Sequence, residues 1–377
     1  MQHDNPPIMV CLISRQTMQN LLPILQYQPQ QVVCLTTNEE DDSRTHLETV
    51  LRAHHIPVAP PLYVEAYAPE SVVQACCQII EQYGAARLVA NLTGGTKVMS
   101  LAAFRAFSAA QVPCIYTDTP HRRILVLHPD GQRATPLQTK VDVLTYLQAH
   151  GQRASLRGHE SRHTSPELAA FMGQHMTHLE PFLGRLRYEM RNAKEQHSVR
   201  FALHSRKQRH SVAAEFLLRA MRAGLLEARP GGDREIDILF HDAKARRYLE
   251  GEWLEDLVFT TVKQAGFDSY ATNVALAWKD APDREMNEID VAVVHNLRFF
   301  YISCKTRSDP QEMKHHLFEL ETLSELAGGL FNHPILVASS AKAVPSHLRR
   351  RMETLGIAYV GPADFPDLAS RLREIIR

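Results

Sequence analysis

The sequence contains no apolar stretch near the roughly 20 residues needed to span a bilayer. Its first residues, MQHDNPPIMVCLIS, show no basic segment leading into an apolar one. A cytoplasmic chain that works away from membranes is therefore expected. Net charge is missing too, since 42 Lys and Arg are matched by 42 Asp and Glu. The six cysteines, at positions 11, 34, 76, 77, 114 and 304, make no CxxC pair and no Cys/His ligand spacing. Several sit in apolar runs such as MVCLI, VVCL and VPCIY, so buried reduced thiols are expected rather than a metal or redox role. Neither a GxxxxGK[ST] loop nor a dinucleotide GxGxxG is present.

What is present is enough for two or three domains with cores of their own, at 377 residues and 44% hydrophobic content. A small disulfide-stapled protein and a disordered one are excluded. The zero net charge hides an asymmetry. Residues 1–150 carry 10 basic and 12 acidic side chains, 151–235 carry 15 and 9, and 236–377 carry 17 and 21. The His-rich middle is thus the basic part, and it suits either a nucleic-acid-facing surface or solvated helix faces.

In residues 1–150 apolar runs alternate with helical patterns. IMVCLIS leads into a helix over 16–26, VVCLTT into one near 44–54, and a third covers 71–83. RLVANLT then runs into GGTKVMSLAAFRAFSAA, and VPCIYTD and ILVLH close the series. Strands buried on both faces with helices between them predict a parallel, Rossmann-like sheet. Ligands of such sheets bind outside the carboxyl ends of the strands. The segment Asn91-Leu92-Thr93-Gly94-Gly95-Thr96-Lys97 falls there, with glycines that admit an anion to the backbone, two hydroxyls and a lysine. Ser14 and Thr17 follow the first strand and Thr37 the second. They are candidates for the same edge, and helix capping accounts for them equally well.

At these residues the chain resembles the CARF domain, which senses cyclic oligoadenylate in type III CRISPR immunity; the likeness covers residues 6–145. It implies cyclic tetra- or hexa-adenylate bound across the axis of a homodimer. Ser14, Thr93, Gly94, Gly95, Thr96 and Lys97 would be contacts, with Thr17, Thr37 and Asn91 as further candidates.

The polar stretch 151–164 reads as a linker. Ser165-Pro166 starts a helical segment that should break near Pro181, and Ser211 starts another that stops at Gly224. REIDILF and RRYLE, joined by HDAKA, read as a hairpin, which makes the segment 151–244 helical and winged-helix-like. Arg206, Lys207 and Arg209 are read as solvated rather than base-reading.

From residue 245 on, a helix opens at Gly251-Glu252-Trp253-Leu254-Glu255, a strand covers 269–278, and NEIDVAVVHN and FFYISCKT alternate as antiparallel neighbours. Tyr301, Ser303 and Lys305 share a face, as do Glu288 and Asp290. A turn centred on Asn296-Leu297 sets Asp290 opposite Ser303 and Glu288 opposite Lys305. Carboxylates with an ammonium nearby suit a hard divalent cation and a developing phosphorane charge.

This arrangement resembles the PD-(D/E)xK restriction-endonuclease-like superfamily over 245–377. The resemblance implies a Mg²⁺ or Mn²⁺ site with Glu255 and Asp290 as metal ligands and Lys305 assisting. Ser303 departs from the pattern, which has Glu or Asp there; a serine can still hold a metal-bound water, Glu288 or Glu252 could supply the missing oxygen, or the site is weakened or dead. The expected whole is an α/β chain: a Rossmann-like CARF domain (1–150), a middle segment (151–244) and a restriction-endonuclease-like α/β domain (245–377). Its expected function is that of a ligand-activated nuclease on single-stranded DNA, single-stranded RNA or double-stranded DNA. A ligand-gated nucleic-acid-binding regulator and an enzyme that opens the cyclic ligand remain as alternatives.

Overall fold

The computed structural model describes residues 7–128, 133–157, 164–193, 198–202, 211–232, 235–278, 281–306, 310–326, 332–340 and 344–377. The chain divides into two compact units, Met1–Ala154 with Ala277–Arg284, and Ser155–Leu276 with Glu285–Arg377.

The first unit runs β1 (Ile8–Leu12), α1 (Met18–Tyr27), β2 (Gln31–Thr36), α2 (Asp41–Ala53), β3 (Leu62–Tyr63), α3 (Pro69–Tyr83) and β4 (Leu88–Asn91). It continues with α4 (Lys97–Ala109), β5 (Cys114–Asp118), β6 (Arg123–His128), β7 (Arg133–Pro136) and α5 (Val143–Ala149). The strands form one sheet in the order β3-β2-β1-β4-β5-β6-β7. The first five are parallel, and β6 and β7 join antiparallel. Strand β1 is buried at every residue, as its unbroken apolar run requires when helices cover both faces of a sheet. The order reverses between β1 and β4, and that switch point is where the loops after these strands splay apart to leave a crevice.

The second unit holds β8 (Arg153–Leu156, where the chain passes from one unit to the other), α6 (Pro166–Gln174), α7 (Met176–Asn192), β9 (Ser198–Ala202), α8 (Val212–Arg222), β10 (Leu226–Gly232) and β11 (Glu235–Phe240). There follow α9 (Ala243–Arg247), α10 (Trp253–Ala265), β12 (Ser269–Trp278) and β13 (Ala281–His295), the end of the one and the start of the other counting with the first unit, then β14 (Arg298–Lys305), α11 (Pro310–Leu326), β15 (Asn332–Ala338), α12 (Ser346–Thr354), β16 (Ala358–Val360) and α13 (Leu368–Ile375). Two sheets result, β10-β11-β9 and β16-β15-β14-β13-β12-β8. Leu168, Met172, Leu183 and Phe216 share one core with Trp253, Val258, Phe300 and Ile302, so the middle helices pack together with the C-terminal elements.

Four local expectations change. RRYLE is helical, because Asp242 caps α9 by accepting the Ala245 N–H at 2.7 Å, and the hairpin pairs Leu226–Gly232 with Glu235–Phe240 instead. The helix break falls at His175, and Pro181 lies inside α7. Part of the stretch read as a linker is strand β8, an edge strand with little apolar content to announce it. Strand β13 begins at Ala281, ahead of the run NEIDVAVVHN in which the alternation is read. Arg206, Lys207 and Arg209 lie outside the described residues.

Candidate functional site

At the switch point of the first sheet lies a cavity of about 1020 Å³, lined among others by Ser14, Arg15, Thr37, Thr93, Gly95 and Thr96. The loop between β4 and α4 is held by its own side chains. Thr93 Oγ1 donates to Asn91 Oδ1 at 2.5 Å and accepts the Thr117 N–H at 2.7 Å. Asn91, fully buried, donates to Asn20 Oδ1 at 2.8 Å and to the Gln19 carbonyl, and Asn20 in turn donates to the Leu12 carbonyl at 2.8 Å. Thr96 caps α4 by accepting the Met99 N–H, and it donates to the Ala66 carbonyl at 2.8 Å. A Cβ at Gly94 would stand 2.0 Å from the Leu12 carbonyl oxygen, so only glycine lets the loop approach β1, and Gly95 adopts φ +74°. The hydroxyls of Thr93 and Thr96 are thereby engaged within the protein. What the loop offers an anion is the start of a 13-residue helix with its positive dipole end. Arg15, paired with Glu40 at 3.3 Å, and the carboxylates of Glu39, Glu40 and Glu65 complete the wall.

Of the residues expected there, Ser14, Thr37, Thr93, Gly95 and Thr96 line the cavity, whereas Thr17, Asn91, Gly94 and Lys97 do not. Thr17 and Asn91 are buried, Gly94 is packed on β1, and Lys97, the first residue of α4, is exposed. Asn20, which ties the loop to β1, was not foreseen; a polar residue in the apolar phase of α1 was its only sign. Burial pushes the thiols of Cys34, Cys76 and Cys114 up to about 12, which leaves them unreactive; Cys77 is exposed.

In the second unit, β13 and β14 pair Val291 with Ile302 and His295 with Arg298. The turn between them carries Asn296 at φ +50° and Leu297 at φ +64°, the double positive φ of a tight hairpin whose twist matches its strands. Asp268 fixes it by accepting the Asn296 N–H at 3.0 Å. Asp290 and Ser303, the next residues along the two strands, line one cavity, and a slip of one residue would turn the whole set to the other face. Asp290 Oδ2 accepts the Cys304 N–H at 2.7 Å. Glu288, Asp290, Ser303 and Lys305 line a cavity of about 290 Å³, together with Glu319 from α11. Arg157 donates to Glu288 at 3.2 Å, and Lys305 Nζ lies 3.9 Å from Glu319 Oε2. Burial, and then the charge of Lys305, lowers the pKa of His316, whose ring lies 3.3 Å from Glu319.

The cavity that Asp290 lines does not include Glu255. Helix α10 packs with Trp253, Leu254 and Val258 in the core that also holds Phe300, Ile302 and Cys304, the face of β14 opposite to Ser303 and Lys305. Glu255 lines another cavity, with Glu252, Asp256, Phe259, Lys263 and Thr272. A π turn over Tyr248–Glu252 introduces α10, and Gly251 in it faces the Thr306 side chain at 3.2 Å from where a Cβ would sit. Among the described residues no three His, Cys, Asp or Glu side chains form a ready-made metal cage. Magnesium-like ions do not need one, since they take one or two carboxylates and fill the rest of their shell with water and phosphate oxygens. Asp290 among further acidic oxygens fits such an ion.

Residues 8–146 match the family model of the Card1 CARF domain, and residues 242–377 match that of the Card1-like endonuclease domain. The chain thus joins a Card1-type CARF domain to a Card1-like endonuclease domain. Its fold is shared by the protein VC1899 from Vibrio cholerae, at 24% identity and a TM-score of 0.81 over 98% of this chain and 97% of that one. Can2 from Sulfobacillus thermosulfidooxidans, solved with cyclic tetra-adenylate, is similar at 23% identity and a TM-score of 0.77, over 99% and 98% of the two chains. A type III CRISPR defence DNA nuclease activated by cyclic oligoadenylate aligns at 18% identity and a TM-score of 0.53, over 90% of this chain and 47% of that one. No curated protein matches. In this CARF endonuclease the strand-pair cavity lies within the matched endonuclease domain, and the switch-point cavity within the matched CARF domain. No helix among the described residues is long and apolar enough to cross a membrane.

Proposed function

We propose that the chain is a cyclic-oligoadenylate-activated, metal-dependent nuclease of type III CRISPR defence, working in the cytoplasm as a homodimer. The observation that carries this reading is the meeting of Asp290, Ser303 and Lys305 at one cavity of an endonuclease domain. The likeness to Can2, solved with cyclic tetra-adenylate, supports the activator. In the switch-point cavity the start of α4, Ser14 and Arg15 meet the phosphates, and Glu39, Glu40 and Glu65 accept from the amino groups of adenine. Exposed Tyr67 and Tyr116 beside that cavity and Leu101 on α4 support pairing of two copies. The ligand shifts the dimer by binding one arrangement better than another.

Asp290, oriented by the Cys304 N–H, would hold Mg²⁺ or Mn²⁺, aided by Glu288. The cation, when bound, polarises the scissile phosphate and lowers the pKa of water. Lys305 sets its ammonium against the charge that grows on the phosphoryl oxygens. Ser303 orients water through its hydroxyl.

Ser303 also favours a second reading, a ligand-gated nucleic-acid binder without cleavage. Labelled cyclic tetra-adenylate incubated with the protein, manganese and single-stranded DNA and RNA separates the readings. Nucleic acid lost only with the ligand present is the expected result. Loss of the ligand alone would mean a ring-opening enzyme, and loss of neither a regulator.

A further inference from the structure

Position 303 is a serine where the strand pattern of the superfamily carries a carboxylate, so β14 is one acidic donor short. Helix α11 delivers one from across the cavity. Tyr301 Oη donates to the Leu320 carbonyl at 2.6 Å, which clamps that turn of the helix over the face of β14 that bears Ser303 and Lys305. The preceding residue, Glu319, lines the cavity with Glu288, Asp290, Ser303 and Lys305. A serine ends at its first side-chain oxygen, so the room that a glutamate at 303 would fill stays open to a carboxylate arriving from the other side. The contact of Glu319 with Lys305, at 3.9 Å and with Glu319 41% exposed, is too long and too wet to do much for stability. His315 and His316, at 3.4 and 3.3 Å, flank the carboxylate and orient it, as outer partners of metal-holding carboxylates do.

We propose that Glu319 supplies the acidic oxygen that Ser303 lacks and, with Asp290, completes the donor set for a divalent cation. This rests on the nuclease reading for its purpose, but its binding test does not. The full chain is titrated with Mn²⁺ alone, without nucleic acid, and free Mn²⁺ is followed by electron paramagnetic resonance. Glu319→Gln should weaken binding by about tenfold or more. Glu321→Gln, on the same helix but paired with Arg351 at 3.0 Å, should leave it unchanged. Adding Ser303→Glu to Glu319→Gln should restore part of the affinity, and cleavage with activator should follow the same order.

Unchanged manganese affinity in Glu319→Gln would overturn the proposal, and loss without rescue would refute the exchange between 303 and 319. If the parent binds manganese through Glu319 and never cleaves, the inference stands and the nuclease reading falls. If Asp290→Ala stops cleavage while Glu319→Gln keeps both binding and rate, the reverse holds.

Discussion

The two cavities are built on opposite plans. In the CARF unit the polar side chains of the loop are consumed in holding it, Asn91 on Asn20, Thr93 on Thr117 and Thr96 on Ala66, and the ligand is left with backbone and helix start. In the endonuclease unit, alternating strand positions present side chains directly to the cavity, and the backbone is occupied with its ladder. A substitution in the first should therefore cost fold and binding together, whereas one in the second should cost chemistry first and stability only where a side chain also meets the backbone, as Asp290 does.

The sharpest test of this contrast is Asp290→Ala. Cleavage with manganese and activator should fall by at least about 10²–10³-fold, the scale of losing a preorganised electrostatic partner, while affinity for cyclic tetra-adenylate stays at the parent value. The change also strips the Cys304 N–H of its acceptor, a loss of about 1–3 kcal/mol if it stays buried and unmet. Asp290→Asn keeps an acceptor there and should still not cleave. Cleavage that survives in both variants would remove Asp290 from the site.

The next effect belongs to the other unit. Gly94→Ala drives a methyl group against the Leu12 carbonyl oxygen, at 2.0 Å. The loop or β1 must move, at about 1–3 kcal/mol or more of stability. Urea unfolding should show a weakened first unit, and binding of cyclic tetra-adenylate should drop with it. Lost binding at unchanged stability would mean that Gly94 meets the ligand itself, and the contrast between the units would blur.

The same difference in plan explains what could be read from the sequence. The central strands of the first sheet, β1, β2 and β4, announce themselves as nearly continuous apolar runs, since burial on both faces leaves little room for polar residues. The β13–β14 pairing is legible because alternation and the Asn296-Leu297 turn fix one register. That Lys97 is exposed and outside the cavity lining could not be read, because charge at a loop says nothing about which way the first helical residue faces. Strand spacing does not tell which side of the sheet a helix will cover, so the cavity that Glu255 lines could not be read from it. Glu319 stayed invisible, 14 residues beyond Lys305 on a helix whose seat is set by Tyr301. RRYLE buries the adjacent Tyr248 and Leu249 together, as a helical turn does and an alternating strand does not, and Asp242 caps the helix that leads into it.

The smallest expected effect separates the units by pH. His150 follows α5, stacks on the buried Tyr146 at 4.4 Å and shares a hydrogen bond between its Nδ1 and the Tyr146 carbonyl at 2.8 Å. Burial, outweighing that hydrogen bond, and then the like charge of His46 lower its pKa below the ordinary 6.5. Below pH 6.5 the unfolded chain then binds more protons at this residue than the folded one, so stability at His150 is full above that pH and drains as pH falls. Unfolding of the first unit followed from pH 7.5 downwards should show this slope. His150→Phe keeps a ring on Tyr146 and removes the proton, so it should flatten the slope. An equal slope in that variant would move the acid sensitivity to other groups, and the CARF unit would then owe its response to something other than this buried imidazole.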